Sequence, residues 1–230
     1  MKGMIRTMKK DELFTYALSN KRDFEAYKQE DLVEIGRFLG GDHIVFKDVY
    51  KAYLDKKSVY ENDPMIGEKV EIIFDWKNEE VVFSMQEIKL KFVIEAFLSY
   101  LSLIDTCFLE LYPLGSVIEL ELDMMPERVR RVYKDSDAFV SISGRKVSMG
   151  DEDKYFVDYI GRVWPFGEGA LTPPIFLSKA MIKRVVFTGM IDEAEEEYAD
   201  KVLRLEVINS RRKSINYLTD NEQKEIENVF

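Results

Sequence analysis

The chain has 230 residues, 46% of them apolar and 33% charged, which is enough to build a globular core under a well solvated surface. A net charge of −10 at neutral pH argues against nucleic acid or an anionic membrane as the main partner, because both are held by clustered Lys and Arg. With Cys107 the only cysteine and His43 the only histidine, an intramolecular disulfide and a Cys/His zinc site are excluded, and any Ser-His-Asp or Cys-His centre would have to use His43.

Met1 to Thr7 reads as a frayed end. Lys2, Arg6, Lys9 and Lys10 bring charge with no apolar stretch behind them, so no signal peptide is expected. From Lys9 the spacing of Leu13, Phe14, Ala17 and Leu18 predicts a helix, with Asp11 and Glu12 favouring its start. A second helix is expected from Phe24 to Leu39, striped by Leu32, Ile35, Phe38 and Leu39 and stopped by a left-handed cap at Gly40-Gly41. This places His43 in the loop that follows, a poor setting for a catalytic base. A third helix is expected from Phe46 to Lys57, with Val49, Tyr50, Tyr53 and Leu54 inward. After the turn Asn62-Asp63-Pro64, Val70–Trp76 and Val81–Phe83 read as a β-hairpin across Lys77–Glu80. Ile88, Phe92, Val93, Ala96, Phe97, Tyr100, Leu101 and Ile104 then predict a long helix from Gln86 to Ile104, apolar over more than half its circumference and central to the fold. Its uninterrupted apolar stretch, Ala96 to Ile104, falls far short of the about 20 residues that a membrane span needs. Cys107 lies just beyond, among apolar neighbours, as a buried thiol.

The second half turns to strands. Leu114–Leu122 alternates Val117, Ile118, Leu120 and Leu122 with Glu119, Glu121 and Asp123. Glu119 and Glu121 share a face as glycosidase carboxylates can, but the polar side of an amphipathic strand explains them. Met124-Met125-Pro126 and Glu127–Val132 form a charged connection, with Arg130, Arg131 and Lys134 in solvent. Phe139–Val147 and Tyr155–Trp164 read as a hairpin across Ser148–Lys154, with Gly144-Arg145-Lys146 as a β-turn. Gly167–Pro174 is a Gly/Pro loop and Ile182–Phe187 the last strand. A helix from Glu193 to Asn209 follows, its acidic first turn Asp192–Glu197 solvated and its apolar side formed by Tyr198, Val202, Leu205 and Ile208 or Val207. Arg211-Arg212-Lys213 balance its C-terminal dipole, and a short helix starts after the N-cap Thr219.

The expected fold is therefore α+β, an antiparallel sheet covered by helices with a long central helix. Its parts are helices and a hairpin over 1–84, the central helix over 85–106, and the sheet with C-terminal helices over 107–230, within one compact domain. No catalytic, cofactor-binding or metal-binding constellation emerges. Trp164 and Phe166, beside Pro165 and Gly167 at a strand end, either face a partner or fold back over the sheet edge. Together with Met124 and Met125 they are the candidate partner-binding residues.

Four elements occur in a telling order: L-G-S-V at Leu114–Val117, G-R-K at Gly144–Lys146, D-Y-I-G-R-V-W-P-F-G at Asp158–Gly167, and V-V-F-T-G at Val185–Gly189 with acidic residues after it. Over Leu114–Glu197 this resembles the domain-of-unknown-function family DUF4176, whose members sit beside type VII secretion loci of Gram-positive bacteria, near genes for LXG-type toxins. The resemblance implies a cytosolic, non-enzymatic adaptor or chaperone without cofactor, which binds the helical region of an LXG-type toxin and targets it for secretion. The layout of helical parts around a sheet is also loosely similar to EspG-like secretion chaperones. An immunity protein that binds the toxin's C-terminal toxic domain is the alternative.

Overall fold

The computed structural model describes residues 9–125, 127–133, 137–149, 154–169, 173–210 and 212–227. The expected frayed end at Met1–Thr7, the expected roles of Pro126, Lys134 and Arg211, and parts of the loops Ser148–Lys154 and Gly167–Pro174 lie outside the described residues. The fold is α+β with antiparallel sheets. The chain divides into two compact units, one of Met1–Leu109 with Tyr217–Phe230 and the other of Glu110–Asn216.

In the first unit, helices α1 (Lys10–Ser19), α2 (Gln29–Gly41) and α3 (His43–Leu54) precede strands β1 (Val59–Asn62), β2 (Val70–Asp75), β3 (Glu80–Met85) and β4 (Ile88–Val93), which run straight into α4 (Ile94–Phe108). The strands form an antiparallel meander in the order β1-β2-β3-β4. Alternation turns Val70, Ile72, Phe74, Val81, Phe83, Met85, Leu90 and Phe92 to one face, where they are buried. Phe97 on α4 meets the rings of Phe74 and Phe92, each at 5.9 Å between centroids. The Tyr100 hydroxyl donates to the Leu32 carbonyl, and Lys10 Nζ donates to the Phe108 carbonyl at 2.7 Å, satisfying one of the open acceptors at the end of α4. As expected, Leu13, Phe14, Ala17 and Leu18 are buried, and so is Cys107. The C-terminal helix Asp220–Glu227 opens on a capping box: Thr219 Oγ1 accepts from Glu222 N–H while the Glu222 carboxylate accepts from Thr219 N–H at 2.9 Å.

Several readings of this half are corrected: α2 starts at Gln29 rather than Phe24, which ends a 3-10 turn, and Leu54, expected inward, lies at the surface. The helix expected from Gln86 begins only at Ile94, because Gln86, at φ 51, turns the chain back and Ile88–Val93 pairs with β3. Ile88, Phe92 and Val93 also fit a helical spacing, but the K-L-K-F-V run alternates, and the available edge of β3 decides in favour of a strand. Nor do Gly40 and Gly41 stop α2 in a left-handed turn, since both lie within the helix. Gly40 instead admits the Phe108 side chain, whose Cβ would sit 2.4 Å from any Cβ placed there. Asp42 ends α2 and caps α3, its carboxylate accepting from Ile44 and Val45 N–H at 3.0 and 3.1 Å. His43 is consequently an exposed first residue of α3.

In the second unit the elements are β5 (Val117–Leu120), α5 (Glu127–Val132), β6 (Phe139–Met149), β7 (Tyr155–Val163), β8 (Ile175–Leu177), β9 (Ile182–Phe187), α6 (Glu193–Glu197), a π turn (Tyr198–Leu203), α7 (Arg204–Asn209) and β10 (Lys213–Ser214). The sheet order is β10-β7-β6-β5-β9, with β8 also on β7. All pairings are antiparallel except β10 with β7. Its core gathers Ile118, Leu120, Met125, Val140, Ile142, Tyr159, Leu177 and Ile182. The π turn rotates the helix it interrupts, so that Ala199, Leu203 and Ile208 are buried while Tyr198 and Val202, expected inward, are nearly half exposed.

Phe97→Ala removes a fully buried ring from the α4–sheet packing. It should destabilise the first unit by about 3–5 kcal/mol in chemical denaturation. An unchanged midpoint would show that α4 does not organise this core.

Candidate functional site

Two of the motif elements, G-R-K and D-Y-I-G, converge on one buried carboxylate. β7 buries Phe156, Val157, Asp158 and Tyr159 in succession, so both faces of the strand are covered and Asp158 has no route to water. A charge in such a place must be paired and hydrogen-bonded. Lys146 on β6 lies between the Arg145↔Tyr159 and Val147↔Val157 pairs and hence opposite Asp158. Its Nζ stands 2.6 Å from Asp158 Oδ1, with both side chains almost entirely buried. The other oxygen, Oδ2, accepts from Ser214 Oγ at 2.8 Å and Asn216 Nδ2 at 2.7 Å. The same contacts fasten β10 beside β7.

Arg145, the neighbouring cation, makes a two-pronged ion pair with Glu195 of α6 and is also nearly buried. The β-turn expected at Gly144-Arg145-Lys146 is thus corrected to the middle of a strand. The β6–β7 register slips between Ile142 and Gly144, and Lys146 takes the left-handed φ of 48°. That conformation costs a residue with a side chain about 1–2 kcal/mol, and the buried ion pair holds it. The acidic run is solvated at Glu193, Glu196 and Glu197, as expected, but Glu195 is drawn in by Arg145.

The other two motif elements also meet. Gly189 lies so close to the chain before β5 that a Cβ would stand 2.1 Å from the Leu114 carbonyl oxygen, and its N–H donates to the buried Ser116 Oγ at 3.0 Å. Glu119, expected on a solvated strand face, is buried because β5 lies between β6 and β9. Lys183 Nζ and Arg184 Nε reach its two oxygens at 2.5 and 2.6 Å. The hydrogen-bonded Lys183, with Arg184 beside it, holds this carboxyl below its usual range in spite of burial.

The partner-binding candidates separate. Trp164 and Phe166 stand in solvent, 55% and 74% exposed, on a turn closed by Gly167 N–H donating to the Val163 carbonyl at 2.8 Å. They do not fold back over the sheet edge. Met124 and Met125, the other two partner-binding candidates, are only 8% and 5% exposed, and their expected place on a binding surface is corrected to packing in the interior. The 3-10 turn Leu122–Met124 carries them there in place of the expected open connection. Further apolar exposure lies at Leu114, Val186, Phe187, Met190 and Ile191. Sequence reasoning missed this patch, although V-V-F-T-G-M-I is apolar on both faces of a strand, a signal of an edge with unpartnered side chains.

Residues 111–198 match the family described as Domain of unknown function (DUF4176). The match spans the L-G-S-V, G-R-K, D-Y-I-G and V-V-F-T-G elements and ends after Glu195, so the DUF4176 region supplies Asp158, Lys146, Arg145, Glu195, Ser116 and Gly189. Ser214 and Asn216, which complete the shell of Asp158, come from beyond it. No curated protein and no solved structure matches the chain.

Chemically, Asp158 and Lys146 are saturated and enclosed, with no face to offer a substrate. Among the described residues no group of three His, Cys, Asp or Glu side chains could hold a metal ion, and no helix is long and apolar enough to cross a membrane. In an open groove of about 810 Å³ beside α1 and α2, lined by Thr15, Lys28, Gln29, Glu30, Val33, Glu34 and Arg37, the Thr15 hydroxyl donates to the Asp11 carbonyl at 2.8 Å.

Lys146→Met should destabilise the second unit by about 3–5 kcal/mol, because it leaves Asp158 buried and uncompensated. Ser214→Ala should cost less, about 1.5–3 kcal/mol, through one hydrogen bond to a charged acceptor. Urea denaturation of the two variants would test this order, and equal, small losses would mean that Asp158 finds water. The Glu119 clamp carries a pH signature. Its folded carboxyl lies below the ordinary 4.5, so the stabilisation is fully present above that value and is lost as pH falls through the folded one. Denaturation midpoints of the native chain and of Glu119→Gln should therefore differ at neutral pH and converge on acidification.

Proposed function

We propose that this protein is a non-enzymatic adaptor that binds the helical region of an LXG-type toxin in the cytosol and brings it to type VII secretion. The observation that carries the reading is the match of residues 111–198 to DUF4176, together with the association of that family with type VII loci and LXG toxin genes that the motif resemblance implies. Two features of the unit support it. The charged residues of the signature, Arg145, Lys146, Asp158 and Glu195, are spent on each other, which suits a scaffold rather than a reaction centre. The exposed aromatics Trp164 and Phe166 stand on a turn anchored at the end of β7, where large rings act as anchors for a partner's apolar face. A net charge of −10 fits a protein partner better than a nucleic acid or a lipid surface.

Loss of the protein should stop export of the toxin and leave self-protection intact. In vitro, Trp164→Ala and Phe166→Ala should each weaken binding of the toxin's N-terminal helical region by about 2 kcal/mol, roughly 30-fold. Isothermal titration with that region and, separately, with the C-terminal toxic domain tests the proposal. Binding to the toxic domain alone, with protection but no effect on secretion, would make the protein an immunity factor instead.

A further inference from the structure

The end of β9 and the turn after it form a second apolar surface, distinct from the aromatic turn at Trp164. Phe187 pairs with Val117, and Gly189 presses against the Leu114 carbonyl, so that Leu114, Phe187 and Met190 are neighbours through their backbones. Phe187 and Met190 are 62% and 77% exposed, with Val186 and Ile191 about half exposed beside them. A cluster of this kind is not ordinary scattered exposure and marks a contact surface.

The form of β9 narrows the occupant. β9 ends the sheet order, and an open edge can template an added strand. Its register with β5, however, slips twice, between Val117 and Ile118 and between Glu119 and Leu120, and the strand carries Lys183 and Arg184. Bulges and edge cations are the devices that block strand addition. Recognition must therefore run through the side chains, and an unbranched, deformable Met190 beside Phe187 suits the knobs of a helix. The charge beside the patch sets the sign of that helix. Lys183 and Arg184 are already engaged by Glu119, whereas the exposed Glu193 and Glu196, just past Ile191, have no ion-pair partner among the described residues.

We infer that Leu114, Val186, Phe187, Met190 and Ile191 dock an amphipathic helix whose polar margin is basic where it meets Glu193 and Glu196. The inference rests on the adaptor reading and names the kind of helix in the toxin's helical region that is gripped. The apolar residues supply the grip, and the carboxylates choose between helices of opposite charge.

The test uses the full chain and two probes. The first is the purified N-terminal helical region of an LXG-type toxin. The second is a pair of synthetic 18-residue amphipathic peptides with the same leucine stripe, one with lysine and one with glutamate on the polar face. Phe187→Asp and Met190→Asp should each weaken the toxin region about tenfold or more, with the denaturation midpoint unchanged as proof of folding. Glu193→Lys with Glu196→Lys should weaken it about fivefold at low salt and leave little difference at high salt, as two exposed pairs would. The lysine peptide should compete and the glutamate peptide should not. If the toxin region binds but the Phe187 and Met190 variants bind equally well, this surface is refuted and the adaptor reading stands. If the toxin region fails to bind but the lysine peptide binds and is lost in both variants, the adaptor reading fails and the surface stands. Equal behaviour of the two peptides overturns the charge assignment.

Discussion

The carboxylate of Asp158 is the point on which the second unit turns. A carboxylate without water must be met by charge and hydrogen bonds, and two segments meet it: β6 through Lys146, and the stretch at β10 through Ser214 and Asn216. Because Lys146 approaches with a left-handed backbone and Arg145 beside it holds Glu195, the same two residues of β6 fix β7 and α6. An apolar pair of the same volume would satisfy the packing but would not dictate the register. A buried ion of this kind is a specification of arrangement more than a source of net stability.

The same logic runs through the motif elements of the DUF4176 region of this chain. Its charged and glycine positions meet one another: Lys146 with Asp158, Arg145 with Glu195, Ser116 with Gly189. The signature describes how the sheet is stitched, and the surfaces that could reach a partner lie between the stitches. Trp164 and Phe166 follow directly on β7, and Phe187 and Met190 flank Gly189, so each exposed apolar group is carried by a backbone that the buried contacts hold still.

Much of this was legible in the sequence. The strands at Val117, Phe139, Tyr155 and Ile182 are bounded by their own turn residues, and the spacing of Leu13, Phe14, Ala17 and Leu18 gives the buried stripe of α1. The failures share a cause. Gly144-Arg145-Lys146 looked like a turn because two consecutive cations rarely lie inside a strand, and nothing local reveals the carboxylates 12 and 50 positions away that make it affordable. The acid in F-V-D-Y was the available clue: a charge inside a fully apolar run demands a counterion. Ile88–Val93 satisfied both helical and alternating patterns, and only the partner strand decided between them. Tyr198 and Val202 were placed inward on a regular period that the π turn breaks. Met124 and Met125 were assigned to a surface because they sat in a charged stretch, whereas their neighbours Leu122 and Val129 pack against the core.

The central claim is that the signature residues hold the unit together while the exposed apolar groups around them bind the toxin's helical region. Hydrogen–deuterium exchange of the full chain, with and without that region, addresses it directly. The amides of β6 and β7 around Lys146 and Asp158 should exchange slowly in both states and change little. New protection should appear at residues 164–167 and 186–191. Protection confined to the first unit, or β6 and β7 amides that exchange rapidly until the toxin is added, would contradict the account.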